Sequence, residues 1–133
     1  MKTFIVIVAL IVALVALTKY LFPFIRICGD SMYPTYFDDE IVVGTRLFKK
    51  HDLRVGEVIV YKSPADENRL VIKRIAEILI EGKDLYFYCM GDNRDHSYDS
   101  RDYGYISSKN LVCKVINQRE DMNHADSKEG WNS

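Results

Sequence analysis

The sequence has little of what marks chains that bind nucleic acid, carry a disulfide framework or hold zinc. It has no basic surplus: 18 Lys and Arg stand against 19 Asp and Glu, for a formal net charge of -1. A polyanion-binding protein normally carries such a surplus, so this balance argues against nucleic acid as the main partner. There are only three cysteines, Cys28, Cys89 and Cys113, and none falls in a C-x-x-C pair. That is too few for a disulfide framework and the wrong spacing for zinc. They read as small buried apolar residues. In an oxidising compartment one bridge remains open to them, and Cys89 with Cys113 is the pairing to test first. No internal repeat and no low-complexity tract is visible, and 133 residues leave no room for a second domain.

One feature is abundant. Of the first 25 residues 20 are apolar, and none from Thr3 to Thr18 is charged. With Lys19 tolerated near the end, the run reaches Phe22. About twenty residues at about 1.5 Å each span about 30 Å, the hydrocarbon thickness of a bilayer. Residues 1–25 are therefore expected to be a retained membrane anchor, with Lys19 snorkelling to the headgroups. A cleaved secretory leader is the alternative, but no clean A-x-A site follows the run. Lys2 on one side and Lys19 and Arg26 on the other leave orientation open.

Behind the anchor the pattern is that of strands. Residues 40–45, 57–62, 69–80, 85–90 and 110–116 are short runs rich in Ile, Val, Leu, Tyr and Phe, bounded by Gly, Asp, Asn or Ser-Pro. Residues 48–53 and 33–37 are the two places where a helical turn fits. A mainly β domain over 26–116 is expected. From Asn117 to Ser133 only Met122, Ala125 and Trp131 are apolar, so residues 117–133 are expected to be a disordered polar tail.

Three segments carry reactive chemistry. In Gly29-Asp30-Ser31-Met32-Tyr33-Pro34 a serine stands on a glycine-bearing turn, where its hydroxyl can be exposed and nearby N–H groups can hold an oxyanion. A turn-capping serine reads the same way. In Leu70-Val71-Ile72-Lys73-Arg74-Ile75 strand alternation puts Val71, Lys73 and Ile75 on one face and Leu70, Ile72 and Arg74 on the other. A buried Lys73 loses hydration and becomes a base, whereas at a strand edge its amine stays in water. Lowering a lysine from about 10.4 to about 7 takes roughly 4.6 kcal/mol, within what burial supplies. The third segment, 91–104, is rich in Asp, Asn and Arg. Arg94 and the absent closing glutamate break the calcium-loop pattern, and ion pairing of Asp99 with Arg101 fits better than a metal site. Of the histidines, His51 lies in a charged turn and His124 in the tail, so only His96 is placed to compete as a base.

These motifs, taken together, resemble the type I signal peptidases, membrane-anchored serine proteases with a Ser/Lys dyad. Ser-Met-x-Pro matches 31–34, Lys-Arg matches 73–74, and the Gly-Asp-Asn and Ser-x-Asp-Ser-Arg-x-x-Gly loop matches 91–93 and 97–104. Gly56-Glu57-Val58-Ile59-Val60 is similar to the family's Gly-Asp-Val-type strand. The resemblance implies Ser31 as nucleophile, Lys73 as general base, Ser97 as an orienting hydroxyl on the Lys73 amine, and Asp99 and Arg101 as braces of its loop. The oxyanion hole would be formed at Ser31 and Gly29, which replaces the family's usual hydroxyl residue there, and would rely on the Ser31 N–H helped by a neighbouring amide or water. Met32 and Tyr33, with Tyr36 and Phe37, are expected to touch substrate or lipid. It also implies a signal-peptidase or self-cleaving-repressor-like β fold, lacking the usual inserted non-catalytic subdomain because Ile75 leads to Gly91 within sixteen residues. No cofactor or metal is implied. The partners implied are signal peptides and membrane lipid, with the amino terminus cytoplasmic and the catalytic domain on the extracytoplasmic side. Two other readings are a self-cleaving repressor-type peptidase, which would place a DNA-binding domain where the anchor stands, and a non-catalytic membrane-tethered β module.

Overall fold

The computed structural model describes residues 1–122. Lys2–Leu21 form one helix, α1, with no buried residue. It is the one helix among the described residues long and apolar enough to cross a membrane. Its end is joined to the domain at three points. Arg46 N donates to Leu21 O (2.9 Å) and Gly44 N to Pro23 O (2.8 Å). The Arg46 guanidinium donates to Tyr20 O and lies 4.6 Å over the Tyr20 ring.

Seven antiparallel strands follow among the described residues: β1 (Phe24–Arg26), β2 (Ile41–Thr45), β3 (Val58–Lys62), β4 (Leu70–Glu81), β5 (Asp84–Met90), β6 (Ile106–Ser107) and β7 (Leu111–Val115). Their order across the sheet is β1-β2-β7-β3-β4-β5-β6. The five longer ones fall on the five apolar runs within a residue or two. β1 and β6 are too short to show a period of two in the sequence, and they form by pairing with β2 and β5. A 3-10 turn at Lys50–Asp52 agrees with expectation. Residues 33–37 instead belong to a run of turns, and a one-turn helix, α2 (Ser100–Tyr103), arises from a capping box that Asp99 and Asp102 form together.

Apolar clusters cover both faces of the central strands. Val58, Val60 and Ile72 belong to one, and Ile59, Tyr61 and Ile75 to the other. That is why β3 reads as the unbroken run Val58-Ile59-Val60-Tyr61. The alternation expected along β4 holds: Ile72 packs on the first cluster, Val71 and Ile75 on the second, and Lys73 shares the face of the latter pair.

All three cysteines are free; Cys89 and Cys113 are buried as expected, whereas Cys28 is exposed. Cys89 on β5 and Cys113 on β7 sit in different clusters with β3 and β4 between their strands. A bridge needs Cα atoms within about 7 Å, and strands lie about 4.8 Å apart. The tail expected to be disordered from Asn117 is instead tied to the domain over 117–122, by polar side chains and not by apolar burial. Gln118 bonds Val58, and Arg119 bonds Thr35 and Glu40. Residues 123–133, including His124, lie outside the described residues.

Candidate active site

The hairpin of β1 and β2 carries a long connection closed at its base by Ile27 N donating to Glu40 O (2.8 Å) and Asp39 N to Ile27 O (2.7 Å). Ser31 sits in this loop. Gly29 takes a left-handed conformation there (φ +93°), which favours glycine, and its N–H donates to Asp38 Oδ1 at 2.8 Å. The Gly29 N–H is thereby committed to Asp38, so Gly29 serves as a turn residue and not as an oxyanion donor. Among the described residues the Ser31 N–H has no acceptor.

β4 brings Lys73 to this loop. Its Nζ lies 2.7 Å from Ser31 Oγ, with the residue only 5% exposed. Burial pushes the Lys73 amine down from 10.5 to about 8, although the Asp99 carboxylate pulls it back up. Arg74, its neighbour on the opposite face, is held by Asp92 through two bonds of 2.8 and 2.7 Å and donates to Gly56 O at 2.7 Å. Lys-Arg and Gly-Asp-Asn both stand out in the sequence, but their pairing does not, since nothing local joins residues eighteen apart.

The 91–104 loop closes the site. Gly91 admits no side chain: a Cβ there would lie 2.2 Å from Ser97 Oγ and 2.5 Å from Ser31 O. That close approach lets Asn93 N donate to Ser31 O (2.9 Å) and Asn93 Nδ2 to Asp30 O (3.0 Å). Asp99, fully buried, accepts from Gly91 N (2.9 Å), Ser97 Oγ (2.7 Å) and three groups of Arg101. Burial alone would raise the Asp99 carboxyl, but these donors outweigh it, Arg101 first, and hold it at about 2. Asp92 is paired to Arg74 and Asp99 to Arg101, so each of the loop's two buried carboxylates faces an arginine.

Ser97 donates to Asp99 and not to Lys73, because the carboxylate is the stronger acceptor and lies two residues away. Met32 and Tyr36 are buried in the core beside Val58 and Val60, so neither is placed to touch lipid; Tyr33 and Phe37 are exposed and pack edge to face, 5.5 Å apart. His96 stands exposed at the rim, and the nitrogen on Ser31 Oγ is that of Lys73.

Ser31 and Lys73 open into a groove of about 520 Å³. One wall is residues 24–31, continuing β1 from the end of the helix. The other is Arg69 and the first four residues of β4, 70–73, and Val60 of β3 also lines it.

Residues 1–78 and 82–117 match the family described as signal peptidase, peptidase S26. The three residues between the two matched stretches, 79–81, fall at the far end of β4, just before the turn through Gly82 into β5. Over 117 residues the chain is 32% identical to mitochondrial inner membrane protease subunit 1 of Schizosaccharomyces pombe, covering 74% of this chain and 73% of that one. It is 40% identical over 55 residues to signal peptidase I of Buchnera aphidicola subsp. Baizongia pistaciae, which is 29% of this chain and 18% of the relative. It is 57% identical over 30 residues to signal peptidase I of Buchnera aphidicola subsp. Acyrthosiphon pisum, covering 23% of this chain and 10% of the relative. The chain thus spans a small part of these two peptidases and most of the mitochondrial subunit. By the extent of its match, the chain belongs to the signal peptidase family, peptidase S26.

Proposed function

We propose that this protein is a membrane-anchored serine endopeptidase that removes signal peptides from preproteins, with Ser31 as nucleophile and Lys73 as general base. The observation that carries the reading is the 2.7 Å contact between Ser31 Oγ and a buried lysine amine lowered to about 8, opening on a groove. A lysine near 8 is partly neutral at physiological pH, and a neutral amine accepts a proton. Lys73 takes the Ser31 proton as Oγ bonds to the scissile carbonyl carbon. The charge that develops on the carbonyl oxygen is met by the Ser31 N–H. As the C–N bond breaks, the Lys73 ammonium returns its proton to the departing amine, leaving an ester on Ser31. Lys73 then takes a proton from water as its oxygen bonds to the ester carbonyl carbon; as the C–O bond to Ser31 breaks, the Lys73 ammonium returns that proton to Oγ, and the signal peptide leaves as an acid that ionises to its carboxylate.

Substrate choice follows from the groove. A signal peptide that leaves the bilayer beside α1 enters at the Phe24 end and reaches Ser31 extended, between residues 24–28 and 69–72. In a strand the side chains at -1 and -3 from the cut point to one face and -2 to the other. Cleavage after Ala-x-Ala-like sites is expected, with strong loss for Phe or Leu at -1 and near indifference at -2. A preprotein panel varied at these three positions, with the new amino terminus sequenced, checks this; efficient cutting after a bulky -1 residue overturns it.

The same reading places the amino terminus in the cytoplasm and the β domain on the far side, where exported chains emerge. Protease added outside sealed spheroplasts should digest the β domain, and its protection would reverse the orientation.

A further inference from the structure

Beyond β7 the chain returns across the domain, and residues 117–122 touch the supports of both Ser31 and Lys73. On the lysine side, Gln118 Oε1 accepts from Val58 N (2.6 Å), while its Nε2 donates to Val58 O (2.9 Å) and Val115 O (2.7 Å). β7 has ended at Val115, so this amide stands in for the next peptide group alongside β3. Val58 pairs with Arg74, and the next residue, Ile59, with Lys73.

On the serine side, Arg119 donates to Thr35 O (3.0 Å) and Glu40 Oε1 (2.5 Å), and its guanidinium lies 4.7 Å over the Tyr36 ring. The Tyr36 hydroxyl accepts from Arg119 N (3.3 Å) and donates to Asn117 O (3.1 Å). Tyr36 N in turn donates to Met32 O (2.9 Å), and Met32 follows Ser31. Asp121 adds a 3.8 Å contact to Arg94 on the loop that closes the site.

We propose that Gln118 and Arg119 are positioning residues: they clamp the turn bearing Ser31 against the strands bearing Lys73 and so set the distance between Oγ and Nζ. The proposal rests on the Ser31–Lys73 reading above and extends it to a segment that touches neither reacting atom. A partly exposed arginine pair contributes little to global stability. Reacting groups, however, lose on the order of 100-fold in rate for a displacement of about 1 Å. Arginine suits the task because its planar fork reaches two acceptors while its face stacks on a ring, which an ammonium cannot do together.

The test uses the full chain in detergent with a preprotein. Arg119→Ala should lower kcat on the order of 100-fold, leave KM nearly unchanged because no substrate contact is lost, and leave the melting temperature within a few degrees. Arg119→Lys should recover only part of the loss. Added ethylguanidinium should restore turnover to Arg119→Ala but not to Lys73→Met. Amide hydrogen exchange gives a readout independent of activity: in Arg119→Ala the N–H groups of Tyr36 and Asn93, which bond Met32 O and Ser31 O, should exchange faster while those of β4 and β5 do not. Wild-type kcat in Arg119→Ala, or unchanged exchange at Tyr36 and Asn93, overturns the proposal. A wild-type protein that cuts no preprotein overturns the functional reading instead, and the exchange result still decides the positioning.

Discussion

Ser31→Ala and Lys73→Met should each abolish preprotein cleavage, by about 10³-fold or more, while leaving a folded, membrane-bound protein. Ser31 supplies the only proposed nucleophile, and the 2.7 Å contact makes Lys73 the group placed to take its proton. Neither side chain is needed to fill the core as an aromatic or branched residue would be, so loss of activity and loss of fold separate. Lys73→Arg should be equally inactive, since a guanidinium keeps its proton near neutral pH and its planar head cannot occupy the site of a single amine. Cleavage assays with circular dichroism on the same samples decide the matter. Wild-type turnover in either the Ser31 or the Lys73 variant would remove the dyad, and with it the proposed mechanism.

The buried amine should also show itself in pH dependence, twice. In the free enzyme kcat/KM should rise with pH through a midpoint near 8, where Lys73 loses its proton. For stability the sign is set by proton counts. Between about 8 and 10.5 the unfolded chain holds a proton at this lysine and the folded chain does not, so stability rises with pH across that window. Below about 8 both states are charged, and the folded state bears the full cost of a poorly hydrated cation, about 3 kcal/mol for a depression of this size. Lys73→Met removes that cost. The variant should therefore be the more stable protein at pH 7, with its advantage shrinking towards pH 10.5. Melting curves of both proteins at the two pH values test this, and a variant less stable than wild type at pH 7 would mean that the amine is well solvated in the fold. A base kept in an unfavourable setting is a common trade of stability for activity.

The donors around Asp99 explain how a lysine stays near 8 beside a buried carboxylate. Five hydrogen bonds, three of them from Arg101, already hold that charge. Its pull on Lys73 is thereby reduced, and burial prevails.

What was legible in the sequence, and what was not, divides by the range of the forces involved. The long apolar helix was legible because a run of about twenty mostly apolar residues, reaching Phe22 with Lys19 near its end, is a local property of the sequence. So were the five longer strands, because alternation or an unbroken apolar run marks each of them. The candidate dyad was legible only through motifs in a set order, since Ser31 and Lys73 are forty-two residues apart and neither carries a local sign of the other. The tertiary structure alone decided the partners of individual polar groups. It gave the Gly29 N–H to Asp38, the Ser97 hydroxyl to Asp99 and the Arg74 guanidinium to Asp92. It buried Met32 while leaving Tyr33 exposed one residue later. It also tied residues 117–122, part of a polar segment expected to be disordered, to the domain through Gln118 and Arg119. Hydrophobic periodicity is written into neighbouring residues, whereas a hydrogen bond needs its two atoms within about 3 Å at the right angle, a condition that only the packed strands and turns fulfil.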